Sequence, residues 1–154
     1  MRFVKNLKNI FKINLKGITR NYLLISYLIA FSAVVISLYY SEVQQLPACN
    51  LCWYQRIFMY PVAPVSLLAF IFKDKYAYRY LLSLAFPGLL FAVYHYIIQK
   101  TALFPDVFCG IGISCSEIQI EYLGFITIPF MSALGFLAII AANLMAWYQN
   151  KLDK

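Results

Sequence analysis

The sequence predicts an all-α membrane protein, a bundle of four transmembrane helices with both termini in the cytoplasm. Its 154 residues are 63% hydrophobic and 12% charged, whereas ordinary soluble domains are about 45–50% apolar and about 25% charged. A soluble core of this length cannot hide so much apolar surface, so the bilayer has to cover much of it. The net charge of +7 does not indicate nucleic-acid binding, because the charges lie in short blocks between apolar runs.

Four apolar runs are long enough to cross a bilayer, which takes about 20 residues of helix. Within a single membrane domain of residues 1–154, they cover residues 22–40, 53–72, 80–99 and 123–148. Tyrosine and tryptophan crowd the ends of the runs, as side chains that anchor at a membrane interface do. The prolines inside the runs predict kinks rather than loops, because neighbouring helices can satisfy the backbone groups that they free. These prolines are Pro61, Pro64, Pro87 and Pro129.

The basic residues predict which side of the membrane each connection faces. Residues 1–21, 73–79 and 149–154 carry 11 of the 13 lysines and arginines. By the positive-inside rule, these three segments are cytoplasmic, and the two connections at residues 41–52 and 100–122 face outward.

The basic segment before the first span has apolar residues at helical spacing, with most of its lysines on another face. This pattern predicts an interfacial amphipathic helix on the inner leaflet; a solvated basic tail is an equally good interpretation. The first span is about 19 residues long and has no A-x-A-like cleavage site. It is therefore expected to be a permanent span rather than the shorter apolar region of a signal peptide.

The second span opens on the stretch "PACNLCWYQRIFMYP", which carries two cysteines and one arginine. Cys49 and Cys52 form a C-x-x-C motif at a predicted helix start, where unpaired N–H groups and the helix dipole stabilise a thiolate. Arg56 lies four residues after Cys52, on the same predicted face. Its guanidinium can support a thiolate or an electron-rich oxygen of a bound molecule, or it can simply reach the lipid headgroups.

The third span carries one histidine, His95, about one turn from its outer end. Arg56 lies at a similar predicted depth in the second span. We therefore expect a flat, polar-edged molecule from the lipid to bind between Arg56 and His95. The alternative is that His95 is a hydrogen-bonded packing residue.

All four cysteines lie on the predicted outer side, where oxidising conditions favour disulfides. Cys109 and Cys115 belong to the second outer connection, in "FPDVFCGIGISC". As a structural bridge, a seven-residue ring contributes only about 2 kcal/mol, and a C-x-x-C ring contributes less. A redox role is favoured for this reason. A four-cysteine zinc site is disfavoured, because the C-x₅-C spacing exceeds the usual C-x₂₋₄-C.

Together these motifs resemble the DsbB disulfide-bond-formation family. The shared features are the C-x-x-C at the second span, the arginine four residues later, and a second cysteine pair in the second outer connection. The stretches "YHYIIQ" and "GFITIPF" and the C-x₅-C spacing are similar to the shorter BdbC-like branch. The resemblance covers the chain after residue 20.

The resemblance implies a multi-pass protein of the bacterial cell membrane that reoxidises an extracytoplasmic thioredoxin-fold dithiol oxidase of the DsbA/BdbD type. It also implies that the electrons pass to a membrane quinone, either ubiquinone or menaquinone. Under this resemblance Cys109 accepts the partner, Cys115 attacks Cys49, and a thiolate at Cys52 reduces a quinone near Arg56. The second pair is closer together here than in the DsbB pattern, so the order of attack within it stays open.

Two other functions remain as alternatives. A vitamin K epoxide reductase-like protein also links cysteine pairs to a quinone, but its C-x-x-C follows the other pair, whereas here it comes first. A non-enzymatic membrane scaffold with two structural disulfides would have no use for Arg56 beside the thiols.

Overall fold

The computed structural model describes residues 21–101, 115, 118, 120–122 and 124–152. Within these ranges the regular secondary structure is helical, apart from one hairpin of two two-residue strands, which confirms the predicted all-α class. The predicted interfacial helix and Cys109 lie outside the described residues.

Five α-helices follow one another along the described chain, and a π-helical turn, Tyr39–Val43, extends the first of them. The two short strands precede the last helix. In chain order the elements are α1 Tyr22–Leu38, α2 Asn50–Met59, α3 Val62–Ile71, α4 Tyr78–Thr101, β1 Glu121–Tyr122, β2 Ile126–Thr127 and α5 Ile128–Leu152.

Three described helices are long and apolar enough to cross a membrane: Tyr22–Val43, Tyr78–Thr101 and Ile128–Lys151. They correspond to the first, third and fourth predicted spans. The second predicted span consists of α2 and α3, which meet at Tyr60 and Pro61. Both of these residues keep right-handed helical dihedral angles. The break is therefore a kink within one span, as proline, which has no N–H to donate, is expected to cause.

The start of the fourth span differs from the sequence prediction. The apolar run begins at residue 123, but the helix begins at Ile128, after an antiparallel pair in which Glu121 faces Thr127. Gly124 makes the turn with φ of 78°, a left-handed conformation that glycine adopts without steric cost. Since a short apolar run fits a hairpin as well as a helix, hydrophobicity alone could not locate this boundary.

Close packing of α4 against α5 holds the middle of the bundle. The ring of Phe136 on α5 fills the space beside Gly88 on α4, and a Cβ atom at Gly88 would lie 2.2 Å from that ring. Deeper in the bundle, the Asn143 amide donates to Ser26 Oγ at 3.0 Å and so ties α5 to α1. At the outer end of the bundle, α2 packs between α1 and α4.

Candidate functional site

The C-x-x-C motif forms the first turn of α2, and Cys49 is its N-cap. The Cys49 Sγ accepts a hydrogen bond from the backbone N–H of Cys52 at 3.4 Å, one of the N–H groups that a helix start leaves unpaired. The two Sγ atoms are consequently 3.0 Å apart, and both cysteines are free thiols. A disulfide requires about 2.05 Å, so a small side-chain rotation separates the dithiol from the disulfide.

His95 on α4 faces this pair and is buried. Its Nε2 lies 3.7 Å from Cys49 Sγ and 3.2 Å from the carbonyl oxygen of Cys115. Its Nδ1 lies 3.0 Å from the amide nitrogen of Gln55. An amide nitrogen can only donate and a carbonyl oxygen can only accept, so Nδ1 accepts and Nε2 carries the proton. The N–H at Nε2 of His95 thus points toward both Cys49 Sγ and the carbonyl oxygen of Cys115.

The thiol of Cys49, which precedes α2, has hydrogen-bonding neighbours on two sides. Hydrogen bonding with Cys52 is the main cause that lowers the pKa of the Cys49 thiol; hydrogen bonding with His95 adds to it, and burial opposes it.

Cys115 lies on the far side of His95 from Gln55 and is buried. It is disulfide-bonded, and its partner lies outside the described residues. Cys49, Leu51, Ile98 and Cys115 form one buried cluster. A cysteine from each pair thus belongs to the same small core at the outer end of the bundle.

The other side of α2 faces a cavity of about 230 Å³ between α1, α2 and α5. Its walls are mainly apolar, with Cys52, Gln55 and Arg56 among the polar residues. Two of its lining residues, Ile36 on α1 and Met131 on α5, have exposed apolar side chains. The cavity therefore borders a surface that hydrocarbon chains would cover.

Arg56 is anchored at the wall of this cavity. Its guanidinium donates to Ser41 Oγ at 3.1 Å and to the carbonyl oxygen of Ser37 at 3.3 Å. The group also stacks on the ring of Trp53 at 5.3 Å. These two hydrogen bonds use two of the five N–H donors of a guanidinium. A molecule in the cavity could bind to the remaining donors.

The structure brings together most of the site residues that the sequence predicted. Cys49, Cys52 and His95 meet at the start of α2, and Cys52 and Arg56 line one cavity. Arg56 and His95 do not face each other, however. Arg56 reaches α1, whereas His95 contacts the opposite side of α2 and is not among the cavity-lining residues.

Gln55 is the site residue that the sequence analysis missed. It is buried, lines the cavity and holds Nδ1 of His95. The signal was present, because a side-chain amide inside an apolar span has to find hydrogen-bond partners. What the sequence could not show was that its partner is the histidine of another helix.

Comparison with known proteins places these features in one family. The model of the family "Disulfide bond formation protein DsbB" matches residues 19–146. The SPbeta prophage-derived disulfide bond formation protein B of Bacillus subtilis is 41% identical over 133 residues, covering 86% of this chain and 89% of that protein.

Two further relatives agree with this assignment. The probable disulfide formation protein of Oceanobacillus iheyensis is 40% identical over 134 residues, covering 81% of this chain and 88% of that protein. Disulfide bond formation protein C of Bacillus subtilis is 38% identical over 120 residues, covering 77% and 87%. No solved structure matches the chain. The chain is therefore a multi-pass membrane protein that belongs to the DsbB family of disulfide-forming oxidoreductases.

Proposed function

We propose that this protein reoxidises an extracytoplasmic thioredoxin-fold dithiol oxidase of the DsbA/BdbD type and passes the electrons to a membrane quinone. One observation carries the proposal: the two cysteines of the C-x-x-C motif lie next to different features, one beside the second cysteine pair and the other beside a cavity. Cys49 shares a buried cluster with Cys115 of the second pair, and Cys52 lines an apolar cavity at the hydrocarbon-facing surface. This arrangement suits transfer from a protein disulfide on one side to a lipid-soluble acceptor on the other.

The cavity fits the head group of a quinone. Its apolar walls suit the ring, and the guanidinium of Arg56 suits a carbonyl oxygen that gains negative charge on reduction. A bound quinone supplies an acceptor for two electrons and two protons. These features serve ubiquinone and menaquinone alike, so the proposal covers both.

The proposed electron path is a series of thiol–disulfide exchanges. A partner thiolate attacks the disulfide of the second pair, and the resulting mixed disulfide is resolved by the partner's other thiol. One thiolate of the reduced second pair then attacks the Cys49–Cys52 disulfide at Cys49, which forms a mixed disulfide and releases Cys52. The other thiol of the second pair attacks this mixed disulfide, which re-forms the disulfide of the second pair and releases Cys49. Reoxidation of Cys49 and Cys52 to a disulfide delivers the same two electrons and two protons to the quinone.

The roles within the second pair follow the family pattern, with Cys109 accepting the partner and Cys115 attacking Cys49. The shared burial of Cys115 and Cys49 supports this order, because a buried sulfur is poorly accessible to a protein partner.

For His95 we propose stabilisation of the thiolate that forms at Cys49 in the exchange between the two pairs. Its Nε2–H lies within reach of Cys49 Sγ and beside Cys115. It can therefore donate a hydrogen bond to a thiolate that leaves at Cys49, while the ring stays neutral. Gln55 keeps the ring in the tautomer that has the proton on Nε2. This role replaces the quinone contact that depth matching predicted for His95.

Trapping of the mixed disulfide tests the proposed route. Reduced partner oxidase is mixed with two matched variants, Cys115→Ala and Cys109→Ala, and adducts are read on non-reducing gels. We expect the Cys115→Ala variant alone to accumulate the adduct, through Cys109. An adduct in the Cys109→Ala variant alone would reverse the order within the pair. A protein with purely structural disulfides would form no adduct in either variant, and that result would contradict the proposal.

A further inference from the structure

Three metal-ligating atoms converge at the start of α2. Cys49 Sγ, Cys52 Sγ and a ring nitrogen of His95 all lie within 4.8 Å of one another. The pair distances that fix the shape of the group are 3.0 Å between the sulfurs and 3.7 Å between Cys49 Sγ and His95 Nε2. Two thiolates and one imidazole form a donor set that favours zinc and related thiophilic ions.

The observed spacing is close to that of a tetrahedral metal centre. Bonds of about 2.3 Å to sulfur and about 2.0–2.1 Å to nitrogen place the donor atoms roughly 3.5–3.8 Å apart. The Cys49–His95 distance already satisfies this requirement. The two sulfurs need to separate by less than about 1 Å. Cys52 Sγ and the histidine nitrogen, which lie within 4.8 Å of each other, need to come to about 3.5 Å, so the Cys52 side chain has to turn away from Cys49 and toward His95.

Gln55 allows the histidine to change from hydrogen-bond donor to metal ligand. Coordination through Nε2 requires the ring proton to move to Nδ1, where it needs an acceptor. A side-chain amide has both a donor and an acceptor, so rotation of the Gln55 amide would present Oε1 to Nδ1 in place of the nitrogen that lies there now. Ligating histidines almost always donate their second ring N–H to such a partner.

We propose that the reduced Cys49–Cys52 pair and His95 form a redox-gated binding site for a thiophilic divalent ion such as Zn²⁺. The two thiols release their protons on binding, and the charge of the ion balances the two thiolates, which suits a buried site. The disulfide form has no thiolates to offer, so the ion binds the reduced protein alone. Bound metal therefore holds the pair reduced and blocks electron transfer. This site does not depend on the identity of the electron acceptor.

The site differs from a four-cysteine zinc centre, because it uses one cysteine pair and a histidine from another helix. Three protein ligands leave the fourth position of a tetrahedral ion open. Cys52 lines the cavity, so that position can be reached from the lipid-facing side.

Cadmium binding tests the proposal independently of turnover. The protein with the substitutions Cys109→Ser and Cys115→Ser, in which the second pair contributes no thiol, is purified in detergent with a tag free of histidine. Titration with Cd²⁺ is followed by the ultraviolet band of Cd–thiolate bonds, with the pair reduced and with it oxidised. We expect one ion per chain in the reduced form and none in the oxidised form.

Variants in the same background identify the ligands. Cys52→Ser should abolish the band, and His95→Ala should weaken Cd²⁺ binding by about tenfold or more. His95 is the chain's single histidine, so no other imidazole can replace it. Gln55→Glu supplies an obligate acceptor for Nδ1–H and should tighten binding, which tests the geometry even if His95→Ala fails to fold. Binding to the oxidised pair, or equal affinity in the histidine and glutamate variants and the parent, would overturn the proposal.

Discussion

At the scale of single residues, the contacts of each site residue depend on which side of α2 its side chain occupies. Arg56 and Cys52 line the cavity, whereas Cys49 reaches His95. Gln55 belongs to both sides, since it lines the cavity and holds the imidazole. The sequence predicted the depth of these residues, because depth follows from counting turns. It could not predict the direction of His95, which depends on how α4 is rotated against α2.

The position of Arg56 predicts a defect in quinone binding when its charge is removed. In Arg56→Met the apparent KM for quinone should rise about tenfold or more, since a hydrogen bond from a charged group contributes roughly 1.5–3 kcal/mol. Arg56→Lys keeps the charge but loses the planar fork and should give a smaller rise. Steady-state quinone reduction at saturating partner measures both values. A rise in the KM for the partner alone would reject the assignment.

The position of His95 predicts a different kinetic defect. In His95→Ala the exchange between the two cysteine pairs should slow by roughly tenfold or more, because a hydrogen bond to a charged thiolate contributes about 1.5–3 kcal/mol. The KM for quinone should stay within about twofold of the parent value if the ring makes no quinone contact. Rapid mixing with reduced partner, followed by alkylation of the freed Cys49 and Cys52, measures the exchange. Normal exchange with a raised quinone KM would return His95 to the quinone site.

At the scale of secondary-structure elements, three of the four predicted runs coincide with described helices that are long and apolar enough to cross a membrane, but not every boundary was predicted. The kink at Pro61 was predictable, because proline carries its constraint in its own ring. The hairpin before α5 was not, because it forms where the apolar run of the fourth span begins, and Gly124 makes a left-handed turn within that run. Close contacts between helices were also beyond the sequence, since they depend on which faces meet.

One such contact predicts a matched pair of stability effects. Gly88→Ala should destabilise the bundle by about 1–3 kcal/mol, because the added Cβ would overlap the Phe136 ring that packs α4 against α5. Gly135→Ala is the control, since its Cβ would meet Met59 at an ordinary 3.5 Å. Thermal unfolding in detergent should show a lower midpoint for Gly88→Ala alone. Equal midpoints would contradict the tight α4–α5 packing.

At the scale of the whole molecule, the fold places two chemistries at one end of the bundle. The basic residues predicted that this end faces outward, where disulfides form. Cys49 and Cys115 share a buried cluster there, and the cavity beside Cys52 borders the lipid-facing surface. Electrons are thus expected to enter from the aqueous side and to leave sideways into the bilayer. The sequence motifs predicted the residues at both ends of this electron path. The cavity could not be predicted from the sequence, because it is formed by the packing of α1, α2 and α5.

The measurement that tests this account most directly is quinone reduction by the purified protein in detergent. Reduced thioredoxin-fold oxidase and quinone are added, and the loss of quinone is followed by ultraviolet absorbance in the parent and in Cys52→Ala. We expect steady turnover in the parent and none in the variant, because Cys52 is the sulfur that lines the cavity. No turnover in a folded parent with either ubiquinone or menaquinone, or undiminished turnover in Cys52→Ala, would contradict it.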